Sequence, residues 1–147
     1  MIFREEQGDL FTEEILSEYA LCHCISSDFA LGAGIAKSFA KMGVKKKLIE
    51  QYPKQWQGRG YSLFTEADGV ITANLVTKER YFHKPTLETL KQSLVDLREQ
   101  ALSRGLKKLA MPKIGCGLDK LHWDDVSAVI KEILDDTDIE ILVRYIE

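Results

Sequence analysis

The sequence has no run of apolar residues approaching the ~20 that a bilayer-spanning helix requires, which excludes a membrane-embedded helix and leaves no membrane partner to expect. Cysteine is scarce: three residues, an odd number, build no disulfide framework in a chain of 147. The opening Met1-Ile2-Phe3-Arg4-Glu5-Glu6 carries acids where a secretory leader needs its apolar core. Together these point to a reduced, cytoplasmic protein. Neither sign of charge dominates, with 20 basic against 23 acidic side chains and a net charge of −3. That balance argues against a broad nucleic-acid or membrane-binding face and leaves room for a local basic pocket. Prolines number three, and no Pro/Gly/Ser-rich linker, repeat or low-complexity tract offers an internal boundary, so one domain over residues 1–147 is expected. What remains is ordinary globular usage, 45% hydrophobic and 29% charged, in a chain long enough to bury a core without staples.

Residues 1–7 read as a first strand ended by Gly8-Asp9, and Thr12 as the N-cap of a short helix with Glu13 and Glu14 in its first turn. The apolar run 19–25 is the pattern of a buried strand. A loop through Ser26, Ser27 and Asp28 leads to Gly32-Ala33-Gly34, where a helix starts with Ile35 and Phe39 four apart, and Val44 to Gln51 continues it. Strands near 61–65 and 70–76 flank the turn Ala67-Asp68-Gly69. Leu87, Leu90, Leu94, Leu97 and Ala101 recur at helical spacing until Gly105. Leu106 to Met111 reads as a strand, Val126, Ile130, Ile133 and Leu134 as a last helix, and 139–146 as a closing strand. This alternation implies an α/β layer fold with helices on both faces of a mixed sheet. Ligands of such folds sit where loops leave the carboxyl ends of central strands, here 26–34 and 112–119.

Both loops are rich in glycine. Gly32-Ala33-Gly34 lacks the third glycine of a dinucleotide fingerprint and the Gly-Lys-Ser/Thr of a P-loop, so alone it is either an anion cradle or a turn that needs glycine. Gly115-Cys116-Gly117 after Leu109-Ala110-Met111 is a second loop of this kind, and a pair makes a groove able to hold a diphosphate. Asp9 and Asp119 border these loops, where a carboxylate accepts a proton or caps a turn. Lys78, Arg80, His83 and Lys84 share one loop, which is either a solvated basic segment or holds a desolvated lysine nucleophile. Lys45-Lys46-Lys47 reads as a solvated helix face. In Cys22-His23-Cys24, strand alternation sends the cysteines to one face and His23 to the other, so they cannot share one ion; His83 and His122 lack partners at ligand spacing, and no metal is expected. Trp56 and Trp123 read as packing anchors.

Taken in order, Gly8-Asp9-Leu10-Phe11, His23-Cys24-Ile25-Ser26 with Gly32-Ala33-Gly34-Ile35-Ala36, Thr77-Lys78, His83-Lys84-Pro85-Thr86 and Met111-Pro112-Lys113-Ile114-Gly115-Cys116-Gly117-Leu118-Asp119 resemble the macrodomain superfamily, and within it the terminal ADP-ribose protein glycohydrolase branch. The resemblance runs from about residue 3 to the C-terminal strand. It implies a three-layer α/β/α macrodomain with a central mixed sheet that binds ADP-ribose without a further cofactor. By the same resemblance, Asp9 and Leu10 hold the adenine end and Ser26 contacts the ligand. Gly32, Ala33, Gly34 and Ile35, with Lys113, Ile114, Gly115, Cys116, Gly117 and Leu118, surround the diphosphate and distal ribose. Lys78 attacks the anomeric carbon of that ribose, and Asp119 accepts the proton that assists release. The implied substrates are ADP-ribosyl esters, namely ADP-ribosylated glutamate or aspartate on proteins and O-acetyl-ADP-ribose, with ADP-ribosylated nucleobases in related enzymes. A monomer is expected.

Ser26-Ser27-Asp28 and Gly32-Ala33-Gly34 stand where the water-dependent hydrolases of the superfamily carry an asparagine-rich strand end and a triple-glycine loop, which disfavours a water-activating route. Residues 79–82 (Glu-Arg-Tyr-Phe) are bulkier than the branch leads one to expect, and Glu79 is a candidate partner for Lys78 that would keep it protonated. Tyr145 aligns loosely and stays outside the adenine site. Three alternatives remain: a reader that binds ADP-ribose without chemistry, removal of ADP-ribose from DNA bases, and a dinucleotide-dependent oxidoreductase, the last weakened by the missing fingerprint.

Overall fold

A computed structural model describes residues 1–53 and 58–146. Trp56 lies outside the described residues. The elements are β1 (Ile2–Gln7), α1 (Glu13–Glu18), β2 (Ala20–Ser26), α2 (Ala36–Lys41), α3 (Val44–Gln51), β3 (Tyr61–Ala67), β4 (Val70–Lys78), α4 (Leu87–Arg104), β5 (Lys108–Met111), α5 (Trp123–Leu134) and β6 (Glu140–Tyr145). Thr12 caps α1 by accepting a hydrogen bond from Ile15 N at 3.3 Å, as its sequence position implies. Thr86 and Thr89 close a capping box on α4, and Gly105 ends that helix. Strand ends shift by about two residues from expectation, with β3 and β4 running longer and β5 starting at Lys108, and two differences go further. The helical stretch after Gly34 breaks at Met42-Gly43 into two helices, since Gly43 adopts φ 100° and leaves the helical path. The hairpin turn is the pair Asp68-Gly69, because Ala67 still pairs with Val70.

The strands form one sheet in the order β1-β6-β5-β2-β4-β3. Neighbours are parallel except β3 and β4, so the sheet is mixed. Alternation along the strands feeds two cores. Cys22, Ala73, Leu109 and Ile141 pack with Leu90, Leu94 and Leu97 of α4 and Val126 and Ile130 of α5. Leu21, Val76, Ala110 and Leu142 pack with Ile15 of α1, Phe39 of α2 and Val44 and Leu48 of α3 on the other face. The result is the three-layer α/β/α arrangement with a central mixed sheet that the sequence implied.

After β2 the chain builds the β4-β3 side of the sheet, then returns to place β5 and β6 on the opposite side. The switch in direction falls between β2 and β5, the position where α/β sheets open a crevice at the carboxyl ends of their strands. Three segments leave the sheet at that end: residues 27–35 after β2, 79–86 after β4 and 112–122 after β5.

Candidate functional site

The end of β4 sets the position of Lys78. Ile25 pairs with Val76, but Ser26 pairs with Lys78, so Thr77 is an extra residue that bulges from the ladder. Beyond the bulge, Lys78 Nζ donates to Asp119 Oδ1 at 2.8 Å, and each side chain retains only 15% exposure. The two residues stand 41 positions apart in sequence and come from segments that follow different strands. Glu79 does not take the role expected of it: its carboxylate pairs with Arg59 at 3.1 Å, while the lysine turns to Asp119. β4 ends at Lys78 and the chain bends at Glu79, so the two neighbours find different partners.

The two glycine loops meet at Leu118, the residue before Asp119. Gly34 has φ 59°, and a Cβ there would come within 3.3 Å of Leu118 Cδ1, so the first loop touches the second at that point. Gly32, Ala33, Gly34 and Ile35 are all exposed, as are Gly117 and Leu118, which leaves both loop rims open to a ligand. The first loop is clamped from beneath. Phe29 and Leu31 take left-handed backbone angles of 55° and 43° while their side chains are buried in the core. A left-handed non-glycine residue costs ~1–2 kcal/mol, and burial of two large apolar side chains is of the right size to offset it. Such strain concentrates where a loop must hold a fixed shape for a ligand.

Other expected residues fall into two groups. Asp9 is exposed, accepts from Phe11 N at 3.1 Å, and borders an open hollow of about 400 Å³ with Phe11, Leu16, Ser38, Lys41 and Met42. Lys113 holds its ammonium 4.2 Å from the centre of the Tyr145 ring, which brings that C-terminal tyrosine beside the second loop. Leu10 and Ile114, by contrast, are 3% and 2% exposed, and their side chains belong to the cores. Ser26 is also buried and spends its hydroxyl on Asp28 Oδ1 at 2.5 Å. A larger hollow of about 660 Å³ lies between α3 and the Asp68-Gly69 turn, and no residue of the glycine loops lines it.

Cys116 donates to Ile114 O at 3.4 Å, and burial pushes its thiol up to about 11. Burial likewise drives Cys22 to about 12 and Cys24 well above the usual thiol range. None of the three is a ready thiolate. Among the described residues, no group of three or more His, Cys, Asp or Glu side chains converges as a metal site would require.

Sequence reasoning missed Asp28. Its carboxylate accepts from Ser26 Oγ, from Ala30 N at 3.2 Å and from Tyr81 N at 2.9 Å, so it joins the loop after β2 to the loop after β4. Burial pushes this carboxyl up, but the hydrogen bonds from Ser26, Tyr81 and Ala30 and the nearby Arg80 outweigh it and hold the group below its ordinary value. Lys84 was also unassigned. It donates to Leu118 O at 2.8 Å and ties the same loop to the second glycine loop. An aspartate just after a buried strand is the only signal the sequence held for the first of these, and a long-range carbonyl contact leaves none.

The Macro domain model matches residues 22–130 of the chain. The ADP-ribose glycohydrolase OARD1 of Homo sapiens is 43% identical over 138 residues, a span covering 93% of this chain and 87% of that protein. In fold, the macrodomain of Thermus aquaticus DarG superposes with a TM-score of 0.85 over 99% of both chains at 20% identity. Thermosipho africanus DarTG, solved in complex with ADP-ribose, superposes with a TM-score of 0.83 at 18% identity over 98% of this chain and 41% of its own. With a model spanning most of its length and a relative this similar, the chain belongs to the macrodomain family, in the branch of the ADP-ribose glycohydrolases.

Proposed function

We propose that the protein binds ADP-ribose in the crevice between its glycine loops and hydrolyses ADP-ribosyl esters through Lys78 and Asp119. The observation that carries the reading is the 2.8 Å contact between Lys78 Nζ and Asp119 Oδ1, which joins the end of β4 to the second glycine loop. The name borne by the 43% identical relative, ADP-ribose glycohydrolase, supports the reaction class. The ligand in the Thermosipho structure supports the choice of ADP-ribose.

The chemistry runs in three balanced steps. Asp119 takes a proton from the Lys78 ammonium, leaving a free amine. The amine's lone pair forms a bond to the anomeric carbon of the distal ribose as the ester oxygen departs with its electrons as a carboxylate. Loss of the amine proton and opening of the sugar ring give an imine, which water hydrolyses to return the amine and release ADP-ribose. Asp119, neutral once it holds that proton, gives it to the ring oxygen as the sugar opens and so returns to the carboxylate for the next turnover. One water is consumed, and ADP-ribose and a carboxylic acid are produced. The substrates are ADP-ribosylated glutamate or aspartate on proteins and O-acetyl-ADP-ribose.

The test is the intact mass of the protein after incubation with ADP-ribose and cyanoborohydride, which reduces an imine to a stable amine. An adduct on Lys78, absent from Lys78→Ala, is expected, together with loss of ester hydrolysis in that variant. Binding without adduct or turnover would make the protein a reader. Absence of both binding and turnover would overturn the assignment.

A further inference from the structure

Nine large apolar side chains are exposed among the described residues, and four of them, Ile35, Tyr81, Phe82 and Leu118, lie on the three loops around Lys78 and Asp119. Ile35 and Leu118 belong to the glycine loops and are accounted for by the ADP-ribose crevice. Tyr81 and Phe82 are not. They are 65% and 66% exposed and meet edge to face with ring centres 5.3 Å apart.

Exposed aromatic rings on a loose loop would need no explanation, but this loop is pinned along its length. Ser27 N donates to Lys78 O at 2.9 Å, and Ser27 Oγ to Glu79 O at 3.1 Å. Glu79 pairs with Arg59, Tyr81 N with Asp28, and His83 N with Arg80 O at 3.0 Å, while Lys84 reaches Leu118 O. A backbone held in this way prepays the ordering of whatever binds the rings. The loop starts at Lys78 and is tied at its far end to the residue before Asp119, so the rings stand beside the point from which a leaving group must emerge.

From this arrangement we infer that Tyr81 and Phe82 form a subsite for the polypeptide portion of an ADP-ribosylated protein, gripping the chain next to the modified acidic residue. The inference rests on the esterase reading above. A polypeptide is favoured over a nucleic-acid strand on two grounds. Phe82 is flanked edge to face by Tyr81 and, at 4.7 Å, by His83, which presents an apolar knob for aliphatic side chains instead of an open platform for a base. Of the cations on the segment, Arg80 lies near the Asp28 carboxylate without an ion pair to it, and Lys84 donates to a carbonyl, Leu118 O, so among the described residues neither is paired directly with an acid. That charge suits an acidic peptide, whereas the net charge of −3 over the chain as a whole does not favour a phosphate backbone.

The experiment compares Tyr81→Ser/Phe82→Ser with wild type on three probes: a peptide ADP-ribosylated on glutamate within an acidic, leucine-containing segment, O-acetyl-ADP-ribose, and a single-stranded oligonucleotide ADP-ribosylated on a base. The expected result is a KM for the peptide raised about tenfold, equivalent to about 1.4 kcal/mol, with kcat retained. Hydrolysis of O-acetyl-ADP-ribose, whose leaving group is too small to reach the rings, stays within about twofold of wild type. Arg80→Ser, which leaves both rings in place, is expected to raise the peptide KM at low salt and to lose that effect at high salt. Equal losses on peptide and O-acetyl-ADP-ribose would overturn the inference by making the loop a mere support for Lys78. No loss on the peptide, or a loss confined to the oligonucleotide, would overturn it as well. Wild-type protein inert on both esters would overturn the esterase reading, and the subsite with it.

Discussion

Lys78 Nζ lies 2.8 Å from Asp119 Oδ1 with both side chains largely withdrawn from water, so the charges of two separate loops meet in one half-buried pair. Removing one partner strands the other in a poorly solvated place, whereas replacing both with apolar residues relieves the site. Lys78→Met and Asp119→Leu are each expected to lower the melting temperature, and the double variant to recover most of the loss, with a coupling of about 1–2 kcal/mol in a double-mutant cycle. All three are expected to be inactive. Asp119→Asn, which keeps the hydrogen-bond geometry but not the base, is expected to bind ADP-ribose within a few-fold of wild type while kcat falls ~10²–10⁴-fold, measured by calorimetry and ester release.

Asp28 offers a pH test of loop anchoring. Its carboxyl titrates below the ordinary aspartate value in the folded protein, so its contribution is complete above an unfolded value near 3.8 and is lost as pH falls through the lower, folded one. Protection of the Tyr81 amide, read by hydrogen exchange and corrected for intrinsic rate, is therefore expected to hold steady from neutral pH down to about 4 and to drop below it. Asp28→Ala is expected to remove that protection at all pH values. Unchanged exchange at Tyr81 in this variant would show that the anchor is not the carboxylate.

Acid sensitivity of the whole fold has a different origin in His23, which is 1% exposed and stacked on Phe39 with ring centres 3.7 Å apart. Asn74 donates its amide to Leu63 O, Thr65 Oγ1 and Thr72 O, so its carbonyl is the acceptor and His23 Nε2 carries the proton at 2.6 Å. Nδ1 has no partner among the described residues, and burial lowers the imidazole to about 4, partly opposed by the Asn74 bond. Because the folded value lies below the unfolded one of 6.5, stability from this residue is full above pH 6.5 and declines as pH falls towards 4. Urea midpoints at pH 7.5 and 4.5 are expected to show wild type losing on the order of 2–3 kcal/mol more than His23→Gln, whose amide keeps the bond to Asn74 but does not titrate.

Two glycines separate shape from ligand contact. At Gly34 an alanine meets both a left-handed backbone and Leu118, whereas at Gly117 an added Cβ has open space and no left-handed angle to oppose it. Gly34→Ala is expected to cost ~1 kcal/mol or more of stability. Gly117→Ala is expected to leave the melting temperature unchanged and to weaken ADP-ribose binding roughly tenfold by blocking close approach of the diphosphate, a cost of about 1.4 kcal/mol. Full affinity in Gly117→Ala, measured by calorimetry, would remove that loop from the contact surface.

Much of this architecture was legible because it is local. The leucines of α4 recur at helical spacing, Thr12 and Gly105 mark helix ends, and the alternation in Cys22-His23-Cys24 sends its side chains to opposite cores as expected. Lys78 and Asp119 were named by resemblance, and their contact is compatible with the roles given them. What stayed hidden depends on partners distant in sequence. Glu79 read as the neighbour of Lys78, yet it lies just beyond the end of β4 and pairs with Arg59, 20 positions away. Leu10 and Ile114 sit inside motifs read as binding segments, but their side chains are core, because a motif repeats fold and site together. The left-handed Phe29 and Leu31 carry no signal of their own, since burial of their side chains, with the Phe29 N bond to Ser26 O, goes with that backbone.

The bulge at the end of β4 gives chain length a part in the chemistry. Thr77 is 1% exposed and its hydroxyl finds no partner among the described residues, an orphan that the fold tolerates at the point where Lys78 leaves the sheet. Any side chain of similar size and less polarity fits that slot, so substitutions there leave the lysine's aim intact. Deleting the residue does not: it draws Lys78 back into a position with no room for a charge and no view of Asp119. At this point in the chain the number of residues is expected to matter more than their identity for the activity proposed for Lys78.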